Sequence, residues 1–141
     1  MIKNSASALI VARPGPLRDG LQALMTAIPQ IDAVREMDDV SSALRVVFER
    51  SPALVLLDSN LAGGEVWMTV RRARARWPQA RCIFLADNVQ QHQEAEAAGV
   101  DAVLLKGFPA AKLIATIVRL LPQQRAGQGR ISPPCPVRPR S

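Results

Sequence analysis

Of 141 residues, two are cysteine, one is histidine, three are phenylalanine, two are tryptophan and none is tyrosine. Cys82 and Cys135 stand far apart, with no CxxC or Cys/His spacing around either. That excludes a disulfide scaffold and a structural zinc site, and leaves reduced thiols in a cytoplasmic setting as the default. No apolar run approaches the roughly 18 residues of a membrane span. The apolar stretch Ala8–Ala12 is too short for the h-region of a secretory signal. No GxGxxG follows the first apolar run and no GxxxxGK[ST] occurs anywhere. Both glycine loops that cradle phosphates are missing, so nucleotide binding is not expected.

Negative charge is absent from one part of the chain. The formal charge of +6 comes from 18 basic and 12 acidic residues. All the acids lie within Met1–Leu121, whereas Pro122–Ser141 holds only Arg125, Arg130, Arg138 and Arg140. The same stretch has Pro122, Pro133, Pro134, Pro136 and Pro139 and almost no large apolar residue. Residues 1–121 therefore read as the folded domain and 122–141 as a basic, Pro-rich flexible tail or linker. Its dispersed arginines could serve as an arm on phosphates, but the tail has no aromatic to stack on a base, which weakens that for single strands. With no helix-turn-helix in the sequence, nucleic acid is not the expected partner of this chain alone. With 48% apolar and 21% charged residues overall, the rest can bury a core.

Short apolar runs alternate with amphipathic stretches. Ser7–Ala12 reads as a strand buried on both faces, and Pro16–Ile28 as a helix with Leu17, Leu21, Leu24, Met25 and Ile28 inward. Ile31–Met37 is a weaker strand with Ile31, Ala33 and Val34 inward. Asp38 or Asp39 caps a helix whose inner face is Val40, Leu44, Val47 and Phe48. The strand Ala53–Leu57 runs straight into Asp58; the helix after it is marked by Val66, Val70, Ala73 and Trp77. Arg81–Leu85 is a fourth strand, and Asp87 or Asn88 caps a glutamine-rich helix ending at Gly99. Ala102–Leu105, then Lys106, and a last helix over Pro109–Leu121 complete the pattern.

Five strand–helix repeats with fully apolar strands imply a parallel sheet covered on both faces. An eight-stranded barrel needs about 250 residues, which leaves an α/β, flavodoxin-like, doubly wound (βα)5 sheet of strand order 2-1-3-4-5. Its site belongs at the carboxyl ends of the strands. Ala12, Arg13 and Pro14, then Asp58, then Ala86 and Asp87, then Lys106 stand there.

The words LIV at Leu9–Val11, PLRDGLQALM at Pro16–Met25 and LVLLDSNLAGG at Leu54–Gly64 come in register with IFLA at Ile83–Ala86 and GVDAVLLKG at Gly99–Gly107. Together they resemble the receiver domain of bacterial two-component response regulators, closest to receivers that precede a helix-turn-helix output. The resemblance spans Ala8 to Leu121. It implies a phosphorelay signalling role, with Asp58 in the place of the phosphoacceptor and Lys106 in that of the phosphate-contacting lysine. The acidic pair that binds Mg²⁺ in the family falls on Ala12 and Arg13. The switching hydroxyl falls on Ala86, the switching aromatic on Val103, and a usual proline on Ala62.

These departures set the functional expectation. Mg²⁺ takes oxygen ligands, usually with carboxylate among them, and here Asp58 and a carbonyl near Asn60 remain. At an effective dielectric near 20, unit charges about 4 Å apart interact by roughly 4 kcal/mol, so Arg13 in place of an anion disfavours the metal. No metal or other cofactor is therefore expected, Mg²⁺ binding being weak or absent. A phosphate on Asp58 would find no hydroxyl at Ala86 and no ring at Val103 to move. Arg13 or Lys106 is expected to pair with Asp58 and lock one conformation; a structural acid that merely satisfies Lys106 is the plainer alternative.

The expected function is a degenerate receiver (a pseudo-receiver) that is not an enzyme and works through protein–protein contacts in the cytoplasm. A histidine kinase or regulator is the implied partner, with no membrane. A homodimer through the fourth helix, fifth strand and fifth helix follows from the resemblance. One alternative is a working phosphoacceptor at Asp58, with Glu65 or Asp87 supplying a carboxylate. Another is a transcription regulator whose DNA-binding domain is absent from this chain, the tail being its linker. Arg71, Arg72, Arg74 and Arg76 read as a solvated helix face, with an acidic partner or nucleic acid as the minority reading. Trp77 falls on the buried face and Trp67 off it; His92, with no carboxylate or Cys at ligand spacing, reads as surface. Cys82 reads as a small apolar filler of a buried strand.

Overall fold

The computed structural model describes residues 6–45, 51–60 and 66–121. Strands and helices alternate along them as β1 (Ala6–Val11), α1 (Pro16–Thr26), β2 (Ile31–Met37), α2 (Val40–Arg45), β3 (Leu54–Asp58), α3 (Val66–Arg76), β4 (Arg81–Ala86), α4 (Val89–Ala98), β5 (Ala102–Leu105) and α5 (Ala110–Leu120). The strands form one parallel sheet in the order β2-β1-β3-β4-β5. This is the expected flavodoxin-like topology. Val47, Phe48, Ala62, Glu65, the Trp67 side chain and the tail lie outside the described residues.

The unbroken apolar runs have a direct cause, because successive side chains on a strand leave by opposite faces and both faces are covered. Ala8, Ile10, Leu54, Leu56, Ile83, Leu85 and Leu104 pack on one face against Leu21 and Met25 of α1 and Leu113 and Ile117 of α5. Leu9, Val11, Val55, Leu57, Cys82 and Phe84 pack on the other against Ala43 of α2, Val70, Ala73 and Trp77 at α3, and Ala95 of α4. Each fully buried Leu or Ile contributes about 1.5–3 kcal/mol relative to exposure. Cys82 is part of this core, and burial, reinforced by the Asp101 charge, pushes its thiol up to about 12. It is an apolar filler, not a nucleophile.

The edge strand corrects one expectation. Ile31 is buried and Val34 half-buried, but Ala33 is exposed. The register against β1 shifts between Ala6 and Ser7, which pair with Ile31 and Ala33 and leave Asp32 out of step. That irregularity reverses the parity of the strand beyond it, so Val34 rather than Ala33 follows Ile31 inward.

Helix starts show which member of each acidic or polar pair caps. Asp39 Oδ1 accepts from the Ser42 N–H at 2.7 Å, and this bond holds its carboxyl below the usual range. Asn88 Oδ1 accepts from the Gln91 N–H at 2.9 Å and starts α4. Asp38 and Asp87, the two residues left over, point elsewhere. Gly99 ends α4 with φ 91°, a left-handed conformation that a side chain would strain.

Candidate functional site

Asp58 is the last residue of β3, paired with Leu85 of β4. The Ser59 N–H continues the ladder to the Leu85 carbonyl at 3.0 Å. The carboxylate thus enters the edge of the core, 6% exposed. Its Oδ1 accepts from the Asn60 N–H at 3.2 Å and from Lys106 Nζ at 2.5 Å. Lys106 is itself placed by the sheet, since its N–H donates to the Ala86 carbonyl at 2.8 Å. Its ammonium reaches a second carboxylate, Asp87 Oδ1, at 2.8 Å. Partial burial works to lower the Lys106 pKa, yet the hydrogen bonds and charges of Asp58 and Asp87 outweigh it and the net direction is upward. Asp87 is held below the usual carboxylate range, chiefly by its bond from Lys106.

Of the two cations weighed as partners for Asp58, Lys106 is the one in contact. Arg13 is exposed and makes no ion pair among the described residues. Ala12 is buried, its N–H donating to the Met37 carbonyl at 3.0 Å. Ala86 is fully buried, and Val103 half-buried, in the positions where the resemblance calls for a hydroxyl and a ring. Lys106, Val103, Leu105, His92, Phe108 and Lys112 line a shallow groove of about 270 Å³ between α4 and the β5–α5 connection. His92 does have a carboxylate neighbour, Glu96 one turn on at 3.4 Å, which corrects the sequence reading.

Two side chains carry more than sequence reasoning assigned to them. The sequence offers Asp87 as a cap or as a spare carboxylate; the structure makes it a partner of Lys106. The signal was available, because β4 and β5 pair Ala86 with Leu105, so the next residues are Asp87 and Lys106, of opposite charge. Arg18 has no role that its sequence position announces. It reaches from α1 to the Ala12 carbonyl at 3.2 Å, to Asp38 Oδ1 at 2.7 Å and to Glu36 Oε1 at 3.8 Å. Only tertiary structure brings those groups together.

Residues 9–118 match the family model described as the response regulator receiver domain. The chain belongs to that family. This receiver is 33% identical over 103 residues to the transcriptional activator protein ExaE of Pseudomonas putida, an alignment covering 72% of the present chain and 46% of that protein. It therefore spans about half the length of the curated relative it matches. Among solved structures, the receiver is similar to a LuxR-family two-component response regulator from Aurantimonas sp. SI85-9A1 (TM-score 0.72, 24% identity, 83% of this chain and 85% of that one). The receiver domain of sensor histidine kinase PA1611 from Pseudomonas aeruginosa PAO1, with magnesium ion coordinated in its active site cleft, is also similar (TM-score 0.70, 21% identity, 83% and 98%). Likenesses at this identity show the shared fold. Among the described residues no helix is long and apolar enough to cross a membrane.

Proposed function

We propose that this receiver is a pseudo-receiver: a signalling module that works through protein contacts and is not switched by Mg²⁺-assisted phosphorylation of Asp58. The observation that carries the reading is the set of groups around the Asp58 carboxylate. One ammonium, shared with Asp87, neutralises it, while the end of β1 offers a methyl at Ala12 and a guanidinium at Arg13. Such a donor set does not fit a divalent cation. Among the described residues no group of three His, Cys, Asp or Glu side chains could hold a metal ion, and Mg²⁺ keeps to near-octahedral oxygen coordination. Phosphoryl transfer depends on positioning and charge stabilisation, both weakened here. Even a phosphorylated Asp58 would meet no hydroxyl at Ala86, so the two states would differ by few contacts.

The module has no enzymatic turnover of its own, is cytoplasmic, and takes a histidine kinase or another regulator as partner. The groove beside Val103 and Leu105 is the surface on which a second copy would dock to form a homodimer. The test is incubation with acetyl phosphate and Mg²⁺ followed by intact-mass measurement. No stable phosphoryl adduct is expected; an adduct that disappears in Asp58→Ala overturns the reading. A second reading, a working phosphoacceptor of a two-component transcription regulator whose DNA-binding domain is absent from this chain, is favoured by the relative named a transcriptional activator. That adduct would establish its first part, a working phosphoacceptor at Asp58.

A further inference from the structure

The sheet ends in two edges, β2 and β5, and they are built differently. An edge strand exposes a row of N–H and C=O groups, which proteins guard with charges, prolines or bulges. β2 has such guards: the irregular register at Ile31 and Ala33, and the exposed Asp32 and Arg35. β5 reads Ala-Val-Leu-Leu in regular register and has none of the three. Its ladder to β4 runs one residue further at each end. The Asp101 N–H donates to the Cys82 carbonyl at 3.0 Å and the Lys106 N–H to the Ala86 carbonyl at 2.8 Å. Those flanking residues are charged, yet both charges are taken up within the molecule. Asp101 accepts from Arg74, Arg81 and the Cys82 N–H, and Lys106 is held by Asp58 and Asp87. Along this edge Leu105 is 41% exposed and Val103 half-buried. Two residues apart on a strand, they share one face, and both line the groove between α4 and the β5–α5 connection.

We infer that β5 is a pairing edge whose occupant is β5 of a second copy, running antiparallel across a two-fold axis so that two sheets become one. The inference rests on the homodimer reading and names its mode. A two-fold axis perpendicular to the sheet keeps each face common to both copies. With the register centred on Leu104, Leu105 of one copy stands opposite Val103 of the other, twice over. The exposed leucine then gains an apolar cross-strand neighbour, the kind of pair that stabilises a sheet. Ala102 stands opposite Lys106, so no like charges meet across the seam. Pairing β5 with β2 would instead bring Asp32 and Arg35 to the seam. Being head-to-tail, it would also leave an edge free after every copy added, whereas β5 with β5 closes at two. The paired edge is short, which makes the interface small and the association weak.

The experiment follows the full chain from about 10 μM to about 1 mM, the range in which a small interface associates. Sedimentation velocity is expected to show a monomer–dimer equilibrium. Hydrogen exchange should slow, as the dimer fills, at the β5 amides not already bonded to β4. A mixture of ¹³C-labelled and unlabelled chains should give proton contacts between the β5 strands of different copies. Leu105→Lys, which puts a guard on the edge, should weaken the dimer by about tenfold or more. Ala33→Lys, on β2, should leave it unchanged. Both positions are exposed, so both variants should fold, which circular dichroism checks. A dimer whose β5 amides exchange at the monomer's rate, or one that persists undiminished in folded Leu105→Lys, overturns the inference and leaves the homodimer standing. A chain that stays monomeric throughout overturns both. Species that grow beyond the dimer, with contacts between β5 and β2, would make the pairing head-to-tail and overturn the two-fold arrangement.

Discussion

At the carboxyl edge of the sheet, two cations each sit between two carboxylates, and the two clusters differ in what they grip. Over β1 and β2, Arg18 comes from a helix and holds Asp38, 65% exposed, at 2.7 Å and Glu36 at a long 3.8 Å. Arg18 Nε and Glu36 Oε2 are buried without a hydrogen-bond partner among the described residues. Over β3, β4 and β5, Lys106 comes from a strand end and meets Asp58, whose side chain is 7% exposed, at 2.5 Å. The first cluster braces an edge strand against α1. The second neutralises a charge already committed to the interior. An arginine with five donors can serve several loosely placed acceptors; a lysine is a point charge, suited to one buried anion. Charge count is the same in both, and burial separates them.

Removing the cation should expose that difference. Lys106→Met leaves the buried Asp58 carboxylate without its counter-ion, and breaking a buried pair from one side costs about 3 kcal/mol or more. Urea unfolding at neutral pH should show that loss, and adding Asp58→Asn should recover most of it, a coupling typical of contacting groups. Arg18→Met should cost less, about 1–2 kcal/mol, because one partner is exposed and the other distant. If the two single variants lose equally, the distinction between a brace and a neutralising clamp fails. Smaller again is Asn88→Ala, about 1 kcal/mol for a lost cap, with α4 fraying first in hydrogen exchange. It tests whether Asn88 leaves Asp87 free for Lys106; an Asp87 that turned to cap the helix instead would leave α4 protected.

The fold was legible because its rule is repetitive. Ile10, Leu56 and Leu85 leave one face and Leu9, Leu57 and Phe84 the other, so every interior strand announces itself as a run. Ala33 departs from the inward alternation because one bulge at the edge strand shifts parity, and nothing in IDAVREM records it. At the site, the positions along the carboxyl edge were legible from strand ends alone. Adjacency was less so. That Asp87 rather than Asn88 turns to Lys106 depends on which of two neighbours takes the cap, a choice decided by Gln91, whose N–H bonds Asn88 while its Oε1 takes the Asp87 N–H at 2.7 Å. The Arg18 cluster joins a helix, a strand end and a loop carbonyl, and no sequence period links those three.

The finest test of the comparison is Asp87→Asn, which keeps the shape of the Lys106 clamp and removes one charge. Asp87 is 46% exposed, so solvent screens the pair, and the expected loss is about 0.5 kcal/mol or less. Its pH dependence is more informative than its size. Asp87 is depressed in the folded chain, so its contribution is present above the unfolded carboxylate value, about 3.9, and fades as pH falls through its lower folded value. Lys106 is raised, so its contribution is present below the unfolded lysine value, about 10.4, and fades as pH climbs through its higher folded one. The stability difference between parent and Asp87→Asn should therefore be flat from about pH 5 to pH 9 and shrink outside that window. A difference that instead vanished at neutral pH in moderate salt would mean that Asp58 alone holds Lys106, reducing Asp87 to a bystander at the rim.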